Sequence, residues 1–584
     1  MLFYEMAMAF ERIEATTLRL EITAILAELF RKASADEIDK IVYLSQGMVA
    51  PPFEGMDIGL GEKFVEQAIA LASGYARKEV EALYRKEGDL GKVAEKLLAE
   101  KKQATLAREA LTVERVHASL MRIAKASGEG SQEFKIKVLA ELFNNATPLE
   151  ARYIARIPLD QLRLGVGDPT ILDALSYWAK GDKSFRESLE RAYNLCSDLG
   201  MVARKLFEEG EKGIAEFRIS VFKPIRPALA ERLPTAEEII ERMGVASVEA
   251  KYDGFRMQVH KSGEKVEIFS RKLEKTTRMF PEIVEATKKQ VKAKEAIFEG
   301  EALAFNETTG EYLPFQTTIQ RKRKYGVQEM AEAYPLRLFA FDLLYVDGRD
   351  LTQESYETRR RELEKVIGEG ERIKLAEAIL TSDPKKLEEY FEECVVRGLE
   401  GVIAKDLKAP YVAGARKFAW VKLKRSYRGE LSDTVDVVIV GYYLGRGRRA
   451  KFKFGGILGA VYEPESGLFK TVTRVGSGYS EEELERLRGM LEKIIVRQKP
   501  ARVDSLYEPD YWVEPKYVIE VRADEITRSP VHTCGKVGDA PGYALRFPRM
   551  IGLRTDKAPE DATTVEEIVR MYETQRRRAV EETV

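Results

Sequence analysis

The spacing of apolar residues changes along this chain, and that change constrains the fold more than any other feature. Up to about residue 215 the spacing is helical. Ser34-Ala35-Asp36-Glu37 is a capping box, Ile38, Ile41 and Val42 share one face, and Gly47 closes the segment. Thr147-Pro148-Leu149-Glu150 repeats the logic, with Pro at the first helical position, and Tyr153, Ile154 and Ile157 continue the apolar face. Pro224, Pro227 and Pro234 then stiffen an eleven-residue connector. A short helix from Thr235 to Gly244, boxed by Glu238, leads into alternating segments. Residues 255–270 predict a hairpin around a glycine turn, with strands at 296–305, 337–345, 401–405 and 418–424. Helices are expected near 281–290, 357–367 and 384–397. From about residue 430 the signal is mostly β: Val435–Tyr443, Gly455–Tyr462, Phe469–Val475 and Val518–Val521, lengths that suit a compact barrel of about five strands. Gln575-Arg576-Arg577-Arg578 reads as a helix end. The chain is therefore multidomain: all-α over 1–216, α+β over 217–428 and β-rich over 429–584.

Several classes are excluded. A chain of 584 residues is too long for one core. No run approaches the roughly eighteen apolar residues of a spanning helix. The opening MLFYEMAMAFERIE carries Glu5 and Glu11 and reads as a helix rather than a cleavable signal. Cys196, Cys394 and Cys534 are scattered, and His117, His260 and His532 stand singly, which argues against a disulfide framework or a zinc site. A reducing prokaryotic cytoplasm, at the nucleoid, is the expected location. Lys plus Arg number 95 against 96 acids, a net charge of −1, without the bulk signature of a nucleic-acid binder. Basic residues do cluster, as Arg446, Arg448, Arg449, Lys451 and Lys453 and as Arg321-Lys322-Arg323-Lys324. The bland reading of the first cluster is an exposed β-turn with solubilising charge. Four asparagines in the whole chain fit heat-adapted proteins.

Gly88-Asp89-Leu90-Gly91-Lys92 lacks the spacing of a phosphate-binding loop, and Gly59-Leu60-Gly61 lacks the third glycine of a dinucleotide fingerprint. The informative stretch is Glu249-Ala250-Lys251-Tyr252-Asp253-Gly254-Phe255-Arg256. Lys-x-Asp-Gly alone is weak, and its bland reading is a surface lysine at a strand end. Downstream stand Phe269-Ser270-Arg271, Phe298-Glu299-Gly300-Glu301, Phe339-Ala340-Phe341-Asp342, Gly398-Leu399-Glu400-Gly401 through Lys405, and Trp420-Val421-Lys422-Leu423-Lys424. In that order they resemble the covalent nucleotidyltransferases. The whole chain resembles the ATP-dependent DNA ligases of the archaeal and eukaryotic replicative type. Glu150-Ala151-Arg152-Tyr153-Ile154, Leu162-Arg163-Leu164-Gly165, Arg546-Phe547-Pro548-Arg549 and Arg554-Thr555-Asp556-Lys557 extend the likeness to both ends.

The residue types suit such chemistry. A lysine attacks only when neutral, and its reference pKa of about 10.4 must be lowered by cations or desolvation. Arg256, Lys422 and Lys424 are expected to lower that of Lys251 and to hold phosphate oxygens. Lys251 then attacks the α-phosphorus and expels pyrophosphate. Glu301 and Glu400 are hard carboxylates suited to magnesium, with manganese as the alternative. Phe341 offers an aromatic face for adenine.

The resemblance implies more. It places Glu249 beside the base, Arg271 near the ribose or nick phosphate, and Arg416 in contact with ATP. AMP would pass from Lys251 to the 5′-phosphate of a nick in duplex DNA, whose 3′-hydroxyl then seals the break, in replication, repair and recombination. The three parts become a helical DNA-binding domain, an adenylation domain and an OB-fold domain that brings residues 446–453 to DNA. Arg554, Asp556 and Lys557 are expected over the ATP site in the first step only. A monomer without membrane contact is expected, with a sliding clamp as a candidate partner near Gln103-Ala104-Thr105-Leu106. An NAD-dependent ligase would carry a four-cysteine zinc module. A capping guanylyltransferase or RNA ligase would lack the helical region, and a non-catalytic clamp would have lost Lys251 or the paired glutamates.

Overall fold

The structure, a computed structural model, describes residues 1–101, 108–305, 318, 321, 326–396, 399–424, 434–444, 454–523 and 525–581. Gln103–Leu106, Lys322–Lys324 and the basic 446–453 segment lie outside them. Among the described residues no helix is long and apolar enough to cross a membrane.

From Phe3 to Ala215 the described residues form α-helices and short 3-10 turns around one core that includes Phe10, Leu26, Leu139 and Tyr153. The helix Pro148–Arg156 starts as expected: Thr147 Oγ1 accepts from Glu150 N–H while the Glu150 carboxylate accepts from Thr147 N–H. Ser34 does not cap in this way. Its backbone carbonyl, not its hydroxyl, takes the N–H groups of Glu37 and Ile38, so the helix begins at Ile38. Half of the expected box is present, because the Glu37 carboxylate accepts from the Ser34 N–H at 3.4 Å, and it also binds the Ser34 hydroxyl at 2.9 Å and the terminal ammonium at 2.5 Å.

The central part is built on two sheets. One contains Ala246–Lys251, flanked by Gly401–Asp406 and Ala378–Thr381, with Arg416–Lys424 and Leu229–Arg232 beyond. Its alternation is regular, because strand side chains switch face with period two. Val248, Ala250, Val402, Ala404, Val421 and Leu423 pack against Ile239, Leu387 and Phe391 from two helices. The second sheet contains the hairpin Phe255–Ser262 and Lys265–Ser270, then Glu295–Ala304 and Leu336–Val346. Gly254 joins the sheets, and a Cβ there would lie 2.2 Å from the Ala302 carbonyl oxygen, so only glycine fits the motif position. Asp342 and Arg359, both fully buried, pair through two bonds of 2.8 and 3.0 Å. Removing one partner of such a pair costs about 3–5 kcal/mol.

The C-terminal part is strand-rich, as expected, with more strands than the sequence pattern predicts. Among the described residues eight strands belong to one sheet centred on Thr434–Tyr443, which pairs with Gly456–Glu463, Tyr511–Val513 and Val518–Arg522. A separate hairpin joins Glu525–Ser529 to Gly542–Arg546, and the chain ends in the helix Val565–Glu581.

The parts close on one another. Arg163 donates to the carbonyls of Lys493, at 2.9 Å, and Ile495, and Lys516 meets Asp160 at 2.6 Å. Arg570–Glu231 at 3.1 Å and Arg232–Glu567 at 3.3 Å join the C-terminal helix to the central part.

Candidate active site

A cleft of about 970 Å³ runs between the first central sheet, the second sheet and the C-terminal part. Register decides which side chains reach it. Ile403 lies opposite both Glu249 and Lys422, Lys405 opposite Trp420, and Gly401 opposite both Lys251 and Lys424. Directly paired residues share a face. Three strands therefore present Glu249 and Lys251, Ile403 and Lys405, and Trp420, Lys422 and Lys424 to one cleft, with the apolar residues between them on the other face. Gly401 has φ of +145°, and a Cβ there would sit 2.2 Å from the Leu423 carbonyl oxygen.

At one end, Lys251 Nζ contacts Glu400 Oε2 while Lys424 Nζ contacts the other carboxylate oxygen. Burial alone would lower the Lys251 ammonium, but Glu400, then Asp253 and Glu301, outweigh it and hold its pKa above the ordinary lysine value. Glu400 is held well below the carboxylate range, because Lys251 and Lys424 overcome its burial. This corrects the expectation that neighbouring cations lower Lys251. Arg256 is neutralised by Glu299 at 2.8 Å and donates to the Ala228 carbonyl at 2.6 Å, and Lys422 reaches Glu567 at 3.9 Å. Acids are the nearest charges.

Burial pushes the Glu301 carboxyl up to about 7, against the pull of Lys251 and Arg256, and its Oε1 accepts from Gly254 N–H at 3.2 Å. Asp253 is raised as well, first by burial and then by Glu400. Among the described residues no three His, Cys, Asp or Glu side chains form a metal cage. Glu301 and Glu400 nonetheless fit a hard cation that keeps water and phosphate as its other ligands, as magnesium usually does.

The other end is aromatic. Phe341 is the extra residue of a β-bulge, since Glu299 pairs with Asp342 and Gly300 with Ala340. Bulges re-aim side chains in this way. Phe341 meets Trp420 edge-on at 5.8 Å. Glu249 is 3% exposed and bonds Lys405 at 2.8 Å and the Tyr356 hydroxyl.

The C-terminal part supplies the remaining wall. Arg554 pairs with Asp556 through bonds of 3.0 and 2.8 Å, and Asp436 holds both Lys557 and, at 3.5 Å, Arg554. Burial lowers the Lys557 ammonium to about 8 despite Asp436. Arg271 faces Asp561 at 3.7 Å. Arg416 starts its strand at the edge beside Leu229, and its side chain lies outside the described residues. The structure thus brings Glu249, Lys251, Arg256, Arg271, Glu301, Phe341, Glu400, Lys422 and Lys424 together with Arg554, Asp556 and Lys557. Sequence reasoning gave no separate role to Lys405 and Trp420, which it met only inside the motif strings, and missed Tyr356, Asp436, Asp561 and Glu567. Period-two alternation with Lys422 on the same strand could have flagged Trp420, while nothing local marks the others. Arg321 is not part of a basic stripe: it is 1% exposed and bonded to Glu282.

Comparison with known proteins gives three family models in chain order. They are the DNA ligase N terminus over residues 2–176, the ATP-dependent DNA ligase domain over 227–424, and the ATP-dependent DNA ligase C-terminal region over 450–557. A probable DNA ligase of Dictyoglomus turgidum is 52% identical over 583 residues, covering 100% of this chain and 99% of the relative. The DNA ligase of Hyperthermus butylicus is 46% identical over 599 residues, covering 99% and 98%. A solved structure of mycobacterial DNA ligase D with ATP and MES is 26% identical over 58% of this chain and 98% of that one, at a TM-score of 0.33.

Proposed function

The chain belongs to the ATP-dependent DNA ligase family, and on that premise we propose that Lys251 is the amine that carries AMP from ATP to a DNA nick. One observation supports this best. Lys251 lies with Lys424 at the end of the cleft opposite the aromatic rings that suit a base, under a wall that carries Arg554 and Lys557.

In the first step neutral Lys251 forms a bond to the α-phosphorus and the bond to pyrophosphate breaks, leaving a lysyl–AMP phosphoramide. Lys422, Lys424 and Arg256 hold phosphate oxygens as charge builds. Arg554 and Lys557 orient pyrophosphate in line to leave, with Asp556 and Asp436 holding them in place. Glu301 and Glu400 would hold magnesium, or manganese, which when bound would neutralise phosphate charge. A 5′-phosphate oxygen of the nick next takes AMP and restores the lysine. The 3′-hydroxyl then attacks that phosphate and AMP departs.

We assign the grip on duplex DNA to residues 1–216, through phosphate contacts that position without reading sequence, adenylation to 217–428, and nick engagement to 429–584. The closed arrangement suits the first step, so the C-terminal part swings away for the other two. The protein works as a monomer at high temperature. Its linked ion pairs of Arg156 with Glu14 and Asp89, and of Arg152 with Glu95, are the kind of network that heat favours.

The test is a nicked duplex with labelled 5′-phosphate, ATP and magnesium. A 3′-hydroxyl nick should be sealed, and a 3′-dideoxy nick should accumulate AMP-capped DNA. Sealing without any capped intermediate on the blocked nick would contradict the scheme.

A further inference from the structure

We propose that Tyr411 is a positioning residue for Arg256: its hydroxyl locks the connector between the helical and central parts, and the locked connector fixes the direction of the Arg256 guanidinium. The proposal rests on the reading of Arg256 as a cation that holds nucleotide phosphate.

Arg256 lines the cleft, whereas the groups that hold it, Ala228, Glu299 and Tyr411, do not. Its Nη1 donates to the Ala228 carbonyl at 2.6 Å and its Nη2 to Glu299 Oε2 at 2.8 Å. The Tyr411 hydroxyl closes the circuit. It donates to the same Glu299 oxygen at 2.7 Å and accepts from Ala228 N–H at 2.8 Å. Four residues thus form one ring of hydrogen bonds. A guanidinium carries five N–H donors in a rigid fork, so fixing two of them fixes the direction of the other three. Among those three, the Nε–H is buried and meets no acceptor among the described residues.

The Ala228 carbonyl anchors Arg256 only if the connector holds still, and the connector is tied on both sides. Toward the central part, Gln258 accepts from Ile225 N–H at 2.8 Å and donates to the Ile225 carbonyl at 2.9 Å, and Gly414 N–H donates to the Arg226 carbonyl at 3.2 Å. Toward the helical part, Arg226 N–H donates to the Asn194 carbonyl at 2.8 Å and the Ser197 hydroxyl to the Pro224 carbonyl at 2.6 Å. Pro224 and Pro227 stiffen the same segment.

Tyr411 is 4% exposed and lies off the cleft wall, so its influence on the reaction passes through the groups it bonds. Loss of its hydroxyl would leave the Ala228 N–H without an acceptor and take one donor from Glu299, both of them buried. The anchor and the counter-charge of Arg256 would loosen together.

The experiment measures lysyl–AMP formation in a single turnover over a range of ATP concentrations, with a thermal melt of each protein. It uses the full chain, Tyr411→Phe, Arg256→Gln and the double variant. Tyr411→Phe should fold and react roughly tenfold to a hundredfold more slowly, the usual effect of misplacing a positioned group. In the Arg256→Gln background the same change should alter the rate by no more than about twofold, because nothing is left for Tyr411 to position. Gln258→Met, which frees the connector at Ile225, should repeat both results. A folded Tyr411→Phe that reacts at the wild-type rate overturns the proposal. So does the full loss appearing again in Arg256→Gln, which would mark Tyr411 as merely structural. If Tyr411→Phe does not fold, Gln258→Met decides by the same two comparisons. A wild-type rate in Arg256→Gln would instead overturn the reading of Arg256 as a phosphate-holding cation, and this inference with it.

Discussion

Lys251 and Glu400 are joined twice: the ammonium contacts the carboxylate, and Glu400 N–H donates to the Lys251 carbonyl at 3.2 Å. The amine is therefore held protonated by the group proposed to bind the metal. A cation on Glu400 would cancel the acid's influence and leave burial, which lowers the lysine, as the main effect.

That coupling predicts a metal-dependent pH profile. The rate of self-adenylation should rise with pH as Lys251 loses its proton. The midpoint should move to lower pH as magnesium is raised. A midpoint that ignores magnesium would separate Glu400 from the metal.

Glu301 predicts a pH-dependent stability. Its carboxyl is raised from 4.5 to about 7, chiefly by burial, so the folded chain holds this proton more tightly than the unfolded chain. The resulting stabilisation is complete below about 4.5 and is lost as pH rises through about 7. In metal-free buffer the melting temperature of the wild type should fall relative to Glu301→Gln across that window and then level. A constant difference would contradict the burial argument.

The wall from the C-terminal part predicts a split between steps. Lys557→Ala, or truncation before Arg554, should cripple lysyl–AMP formation while largely sparing closure of a nick already carrying AMP. Equal loss of both steps in a variant that melts normally would remove the swinging-domain reading.

DNA binding should be independent of sequence and steeply dependent on salt, since a chain of net charge −1 must meet phosphates through local basic groups. Each phosphate contact adds roughly 0.9 to the slope of log K against log salt. A flat response would point to a different substrate.

Much of this was legible in the sequence because strands alternate. Lys251 with Glu249, and Lys422 with Lys424, sit two apart, so any strand assignment puts each pair on one face. The Thr147–Glu150 box was readable because all of its bonds are local. What escaped is non-local. The charge state of Lys251 depends on Glu400, 149 residues away, and that of Arg256 on Glu299. No spacing reports that Asp436 sits between Arg554 and Lys557. Strands as short as Ile495–Val496 and Val503–Asp504 carry no period to detect.

The most direct test of Lys251 as nucleophile is incubation of the wild type and Lys251→Ala with α-labelled ATP and magnesium, followed by denaturing electrophoresis and a parallel assay on a pre-adenylated nick. The wild type should carry label through denaturation. Lys251→Ala should carry none yet still close the pre-adenylated nick, since that step does not use the amine. Label retained on Lys251→Ala at the wild-type level would contradict the account.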